Sequence, residues 1–120
     1  MAMDRMALLE ALNNTLKLPV VEVDVPELGD KMFVRGLTVG EQDSLAQYSR
    51  LQADGKAPAY GWRALTLAKG ICDESGKRLF TDADANALSR FPIAVAERLV
   101  NAIDKASGTA PAEAETIAKN

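Results

Sequence analysis

The chain leaves its helical hydrophobic period for a single stretch, and that excursion limits the fold more than any other feature. Between Pro19 and Pro26 it reads Val20-Val-Glu-Val-Asp-Val25, β-branched residues with acids at 22 and 24. That alternation belongs to a half-buried strand. Pro26-Glu-Leu-Gly29-Asp30 is turn chemistry, and Lys31-Met-Phe-Val-Arg35 is a second short strand that stops at Gly36. Residues 20–36 are therefore expected to form one hairpin. Elsewhere the apolar residues recur at three- and four-residue steps, the spacing of helices. The expected class is mainly α (α+β), with five or six helices and one short N-terminal β-hairpin, in a single domain spanning 1–120.

Met3, Met6, Leu9, Leu12 and Leu16 make a helical stripe over 3–17, widened by Leu8 and ended by Pro19. The N-terminal amphipathic helix is assigned to 1–18. Thr38-Val-Gly-Glu41 is a capping box opening a second helix, with Leu45, Tyr48 and Leu51 as its inward face. A third helix is expected over 58–72, with Trp62, Leu65, Leu67, Ala68, Ile71 and Cys72 apolar, although Gly61 and Gly70 weaken it. Thr81 caps a short helix ending at Leu88. Pro92 opens another over 92–106, carrying Ile93, Val95, Ala96, Leu99, Val100 and Ile103, and Gly108 closes it. The helices over 38–107 are expected to hold the core. Residues 108–120 form an Ala-rich tail, expected to be mobile, in which Pro111 could start a last short helix over 112–119.

Composition then removes whole classes of chemistry. There is no histidine, so His-dependent triads and His metal sites are out. Cys72 is the one cysteine, which forbids an internal disulfide and a Cys-rich zinc site. A net charge of −3 and a pI near 4.9 argue against binding to nucleic-acid phosphates. Aromatic residues, at 5%, are too few for a base-stacking platform. No stretch approaches the roughly 20 apolar residues of a membrane span. The first ten residues, broken by Asp4, Arg5 and Glu10, do not read as a signal peptide. No cofactor or metal and no enzymatic activity is expected.

The remaining motifs have bland explanations beside functional ones. Asp73-Glu-Ser-Gly76 with the acids that follow suggests a calcium loop, but the glycine falls at loop position 4 and Lys77 stands where an acid is needed. A tight turn before a helix cap accounts for it better. Asp82 and Asp84 sit in a first helical turn, where the helix dipole already favours acids. Cys72 reads as a small buried hydrophobe. Trp62 is a core or an interface anchor, and Arg35 is an ion-pair partner or a solvated charge guarding a strand edge. The methionine-containing stripe either packs on the core or faces a partner, a task suited to the adaptable Met side chain.

One ordered set of motifs goes further. Val25 to Gly29 (Val-Pro-Glu-Leu-Gly), Val34 to Glu41 (Val-Arg-Gly-Leu-Thr with its following Glu) and Asp73 to Asp84 come in an order and spacing that resembles the tail assembly chaperones of long-tailed, siphovirus-type bacteriophages. The resemblance covers most of the chain from Val20 onward. The ending Ala118-Lys119-Asn120 is also similar to the end of that family's short product.

The resemblance implies a protein of the host bacterial cytoplasm that binds the long helical tape measure protein, keeps it soluble and is absent from the finished virion. It implies recruitment of the major tail tube protein through a longer frameshifted form. The Ala-Lys-Asn ending is compatible with a slippery codon run, GCA-AAA-AAC. A homo-oligomer is expected, with no nucleic-acid or membrane partner. The residues expected to carry partner binding or self-association are Met3, Met6, Leu9, Arg35, Trp62 and Ile117. The rival readings are a structural virion component, such as a head–tail connector or tail completion protein, and a small acidic regulator. The second would need its acids on one face, whereas here Lys and Arg lie among them.

Overall fold

A computed structural model describes residues 2–55 and 61–108. Among them the element order is α1 (Arg5–Glu10), β1 (Val20–Val25), β2 (Asp30–Arg35), α2 (Val39–Ala53), α3 (Trp62–Gly70), β3 (Ile71–Cys72), α4 (Ala85–Leu88) and α5 (Ile93–Ser107). The class is α+β, as one strand-like stretch among helical spacing implies. The tail helix expected over 112–119, residues 58–60 of the expected third helix, and Ile117 lie outside the described residues.

The hairpin forms in the register its alternation demands, from Val20 opposite Arg35 to Val25 opposite Asp30. A one-turn 3₁₀ segment, Pro26–Leu28, joins the strands, and Gly29 closes it at φ +76°, a conformation glycine adopts without strain. Val23, Val25 and Val34 point inward and are buried. Glu22 and Lys31 sit on the outer face and pair at 3.0 Å.

The sheet has three strands, not two. Cys72 pairs with Phe33 and Ile71 with Val34, antiparallel, giving the order β1-β2-β3. The expectation that residues 71 and 72 end the third helix is corrected: α3 stops at Gly70 and Ile71 is extended. The cause is tertiary. An added Cβ on Gly70 would overlap the Ile103 side chain, so α3 meets α5 most closely where its helix propensity is lowest. The β-branched Ile71 then gains ladder bonds and complete burial on β2.

The core joins the inner face of the sheet to α3 and α5. Val25, Val34, Leu67, Ile71, Val95, Leu99 and Ile103 are its largest fully buried aliphatic members. The hairpin is therefore part of the core and not an appendage to a helical body over 38–107. Two ties lock α5 to the strands. Arg98 makes two 2.9 Å hydrogen bonds to Glu27 in the hairpin turn. At the other end of α5, the Leu37 N–H donates to Ser107 Oγ at 2.9 Å, and Gly36 lies so close to the Ala106 backbone that a Cβ there would stand 2.8 Å from its carbonyl oxygen.

Two helical faces differ from their spacing. Leu51 is exposed although Leu45 and Tyr48 on the same face turn inward, and Ile93 is exposed although it opens the apolar stripe of α5. Both lie near helix ends, where no element among the described residues covers the stripe. Pro92 is the residue before α5, not its first helical residue.

Candidate interaction surface

The N-terminal segment is built by a cap and a change of pitch. Asp4 Oδ1 accepts the Ala7 N–H at 2.8 Å and starts α1. Six residues later the helix widens into a π-helical turn, Ala11–Thr15, closed by the Leu16 N–H donating to the Ala11 carbonyl at 2.7 Å. The helix expected over 3–17 is thus shorter and of mixed pitch. It ends at an extended Leu16, three residues before the Pro19 expected to stop it, and the Pro19 carbonyl accepts the Gly36 N–H at 3.0 Å, which anchors the segment beside the hairpin.

None of the α1 residues is buried. Met3, Met6, Leu9, Leu12 and Leu16 are 59, 72, 39, 56 and 67% exposed, and Leu8 is exposed beside them. Of the two readings of the stripe, packing on the chain's own core is therefore corrected. Contiguous exposed apolar area beyond a few hundred Å² is unusual on a monomer and marks an interaction site. A helix this short is also marginal in water without something to pack against.

Arg35 has the opposite fate. It is 5% exposed and makes a bidentate pair with Glu41, Nη1 to Oε1 at 3.0 Å and Nη2 to Oε2 at 2.7 Å, while Nη1 also donates to the Gly36 carbonyl. Arg35 is a buried strut between β2 and α2. It offers no partner contact on the surface and is not the solvated edge charge of the bland alternative.

Glu41 serves two structures at once. The Thr38 N–H donates to its Oε1 at 3.0 Å, and its own N–H donates to Thr38 Oγ1 at 3.2 Å, which is the expected capping box. Burial pushes its carboxyl up, but the Arg35 and Thr38 hydrogen bonds outweigh this and hold it below the usual range. Arg78 lies 3.9 Å from Glu41 and pairs with Asp82 at 3.0 Å; Asp82 in turn accepts from Lys69 Nζ at 2.9 Å. Five alternating charges thus tie β2, α2, α3 and the segment before α4 together.

Lys69 is the residue that sequence reading missed. It is 3% exposed inside α3. The available signal was a lone cation in the run Ala64 to Ile71, since a buried charge requires a partner. Asp82 is that partner, so the acid next to Thr81 does more than favour a helix dipole. Asp84 completes its own cap, accepting the Thr81 N–H at 2.8 Å.

Asp73 accepts from Ser75 N–H, Ser75 Oγ and Lys77 N–H through one oxygen, and Gly76 turns at φ +89°, which is the tight turn in place of a cation loop. Cys72 is buried, and burial pushes its thiol up, away from the thiolate a nucleophile needs. Trp62 is 43% exposed at the start of α3, with the Arg63 guanidinium 5.3 Å from its ring. Among the described residues, the surface members of the expected set are therefore Met3, Met6, Leu9 and Trp62, and the first three share one segment. Among the described residues no helix is long and apolar enough to cross a membrane. No protein-family model, curated protein or solved structure matches the chain.

Proposed function

We propose that the chain is a tail assembly chaperone of the long-tailed phage type, a binding protein rather than an enzyme. In this reading it works in the host cytoplasm, binds the tape measure protein, keeps it soluble and helps recruit tail tube subunits through a longer frameshifted form. It is absent from the finished virion. The observation that carries the reading is the apolar stripe Met3–Leu16, whose large apolar side chains stand exposed along α1 and the π-helical turn that follows it.

The physical case is direct. A long helical protein with apolar seams aggregates when it is left bare. An amphipathic helix covers such a seam by laying its apolar face on it. Methionine adapts to seams of varied sequence, and many copies along one client supply avidity without strong single contacts. The body of the protein supplies a rigid platform, because Arg35, Lys69 and the hairpin brace each other and leave the stripe free.

Co-expression with the tape measure protein of the same phage tests the reading. A soluble complex holding several chaperone copies per client supports it, as does absence of the chain from purified virions. A client that stays insoluble even when the longer form is supplied overturns it. Recovery of the chain from purified virions favours a head–tail connector or tail completion protein instead.

A further inference from the structure

Among the described residues the sheet has one side closed and one open. On the β3 side the Leu79 N–H donates to the Ile71 carbonyl at 3.2 Å and the Asp73 N–H to the Lys77 carbonyl at 2.9 Å. Lys31 lies beyond the reach of the two-residue β3, and its N–H donates to Asp30 Oδ1 at 2.7 Å. The other side is β1, six residues bracketed by Pro19 and Pro26.

Which β1 groups face outward follows from the bond at its start. The Pro19 carbonyl accepts the Gly36 N–H. Backbone direction alternates along an antiparallel ladder, so Val21, Val23 and Val25 turn their polar groups to β2, and Val20, Glu22 and Asp24 turn theirs away. The Asp24 carbonyl is accordingly reached by Arg98 of α5, whose Nη1 donates to it at 3.3 Å. Val20 and Glu22 are exposed, and among the described residues nothing bonds their outward N–H and C=O groups. Such a row is a template for another strand.

Charge selects the strand. Glu22 and Asp24 stand two residues apart, exposed on the outer face of the sheet. Glu22 pairs with Lys31 there and still leaves 51% of its side chain accessible. Val21, 38% exposed, faces the opposite side. Antiparallel pairing with β1 of a second copy, centred on the strand, sets Glu22 against Glu22, and like charges directly opposite destabilise a sheet. The chain's own residues beyond Gly108 carry Glu113 and Glu115 at the same spacing and bring the same repulsion. A strand with cations at those alternate positions and aliphatic residues between them satisfies both faces.

We propose that the β1 edge takes up, by strand addition, an extended segment of another protein in which Lys or Arg alternates with aliphatic residues. The segment bonds the backbone of Val20 and Glu22 and sets its cations beside Glu22 and Asp24. The inference stands apart from the proposed function, because it uses the sheet edge and not the N-terminal stripe; its failure leaves that reading untouched.

Amide NMR of the full chain, titrated with the end-blocked peptide Gly-Lys-Val-Lys-Val-Lys-Gly, tests it. Shifts are expected to concentrate at the amides of Val20, Glu22 and Asp24, with hydrogen exchange at Val20 and Glu22 slowed several-fold by the peptide. A peptide with Glu in place of Lys should bind several-fold more weakly. So should one whose lysines are N-methylated on the backbone, which keeps the charge and removes the N–H groups that face β1. Glu22→Lys with Asp24→Lys should reverse the preference in favour of the Glu peptide. Equal binding of the N-methylated peptide overturns the inference, since charge alone would then bring the peptide in. No binding of the lysine peptide at millimolar concentration overturns it as well. So does protection of Val20 and Glu22 in the free chain, whether constant, which means a covered edge, or rising with protein concentration, which means a second copy. Should the double variant fail to fold, the N-methyl comparison on the unmodified chain decides alone.

Discussion

Arg35 and Glu41 close a bidentate ion pair across the junction of β2 and α2, with side-chain exposures of 6 and 18%. The same carboxylate completes the cap of α2. One acid therefore fixes both the end of a strand and the start of the next helix.

Glu41→Ala leaves a buried guanidinium without its partner and removes half a capping box. The expected loss is about 3 kcal/mol, read from urea unfolding. Replacing both residues, Arg35→Met with Glu41→Leu, is expected to cost less than Glu41→Ala alone, since no unpaired buried charge remains. A double variant worse than the single would contradict this account of the pair.

Acid should unfold the protein through its carboxylates. The Arg98 hydrogen bonds hold Glu27 at about 2, against an ordinary 4.5. Arg35 and Thr38 outweigh burial to lower Glu41, Lys69 and Arg78 outweigh it to lower Asp82, and the Ser75 and Lys77 hydrogen bonds lower Asp73. Each is depressed on folding, so each stabilises above its unfolded value and loses that contribution as pH falls through its folded value. Asp104, raised by burial, works in the opposite direction. Urea midpoints are expected to hold from pH 7 to about 5 and to fall below about pH 4.5. Glu27→Gln should make the decline shallower; a midpoint that rises on acidification would contradict the balance.

Gly70→Ala tests the α3–α5 contact. On an exposed helix this change would stabilise by up to about 1 kcal/mol. Here the new Cβ overlaps Ile103, and overpacking of this kind costs about 1–3 kcal/mol. Ile103→Val on top of it should recover part of the loss, a coupling that a thermodynamic cycle measures.

Local chemistry made much of this fold legible. Thr38 with Glu41, Val20–Val25 and Gly108 each act through neighbours in sequence, and each forms the element its chemistry implies. Ile71 and Cys72 read as the end of a helix because the strand they join lies nearly forty residues earlier; a two-residue strand has no period to detect. Lys69 went unread for the same reason, its partner Asp82 being brought back by the Asp73–Gly76 turn. Ile93 and Leu51 keep helical spacing while exposed, since periodicity marks which face is apolar and not whether anything covers it. At the candidate site the stripe itself was visible in the sequence. Its exposure was not, because burial depends on where α1 stands relative to the rest of the chain.

The stripe should be dispensable for folding. Met6→Asp with Leu9→Asp replaces two exposed side chains on a segment that buries nothing. Stability is expected to change by less than about 0.5 kcal/mol.

The most direct test of the central claim joins that variant to the client. Binding of purified tape measure protein to the unmodified chain and to Met6→Asp/Leu9→Asp would be measured beside the urea midpoint of each. The account predicts equal midpoints and a loss of binding of at least about tenfold, or about 1.4 kcal/mol, in the variant. Unchanged binding by a folded variant would contradict the claim that the N-terminal stripe is the surface that holds the client.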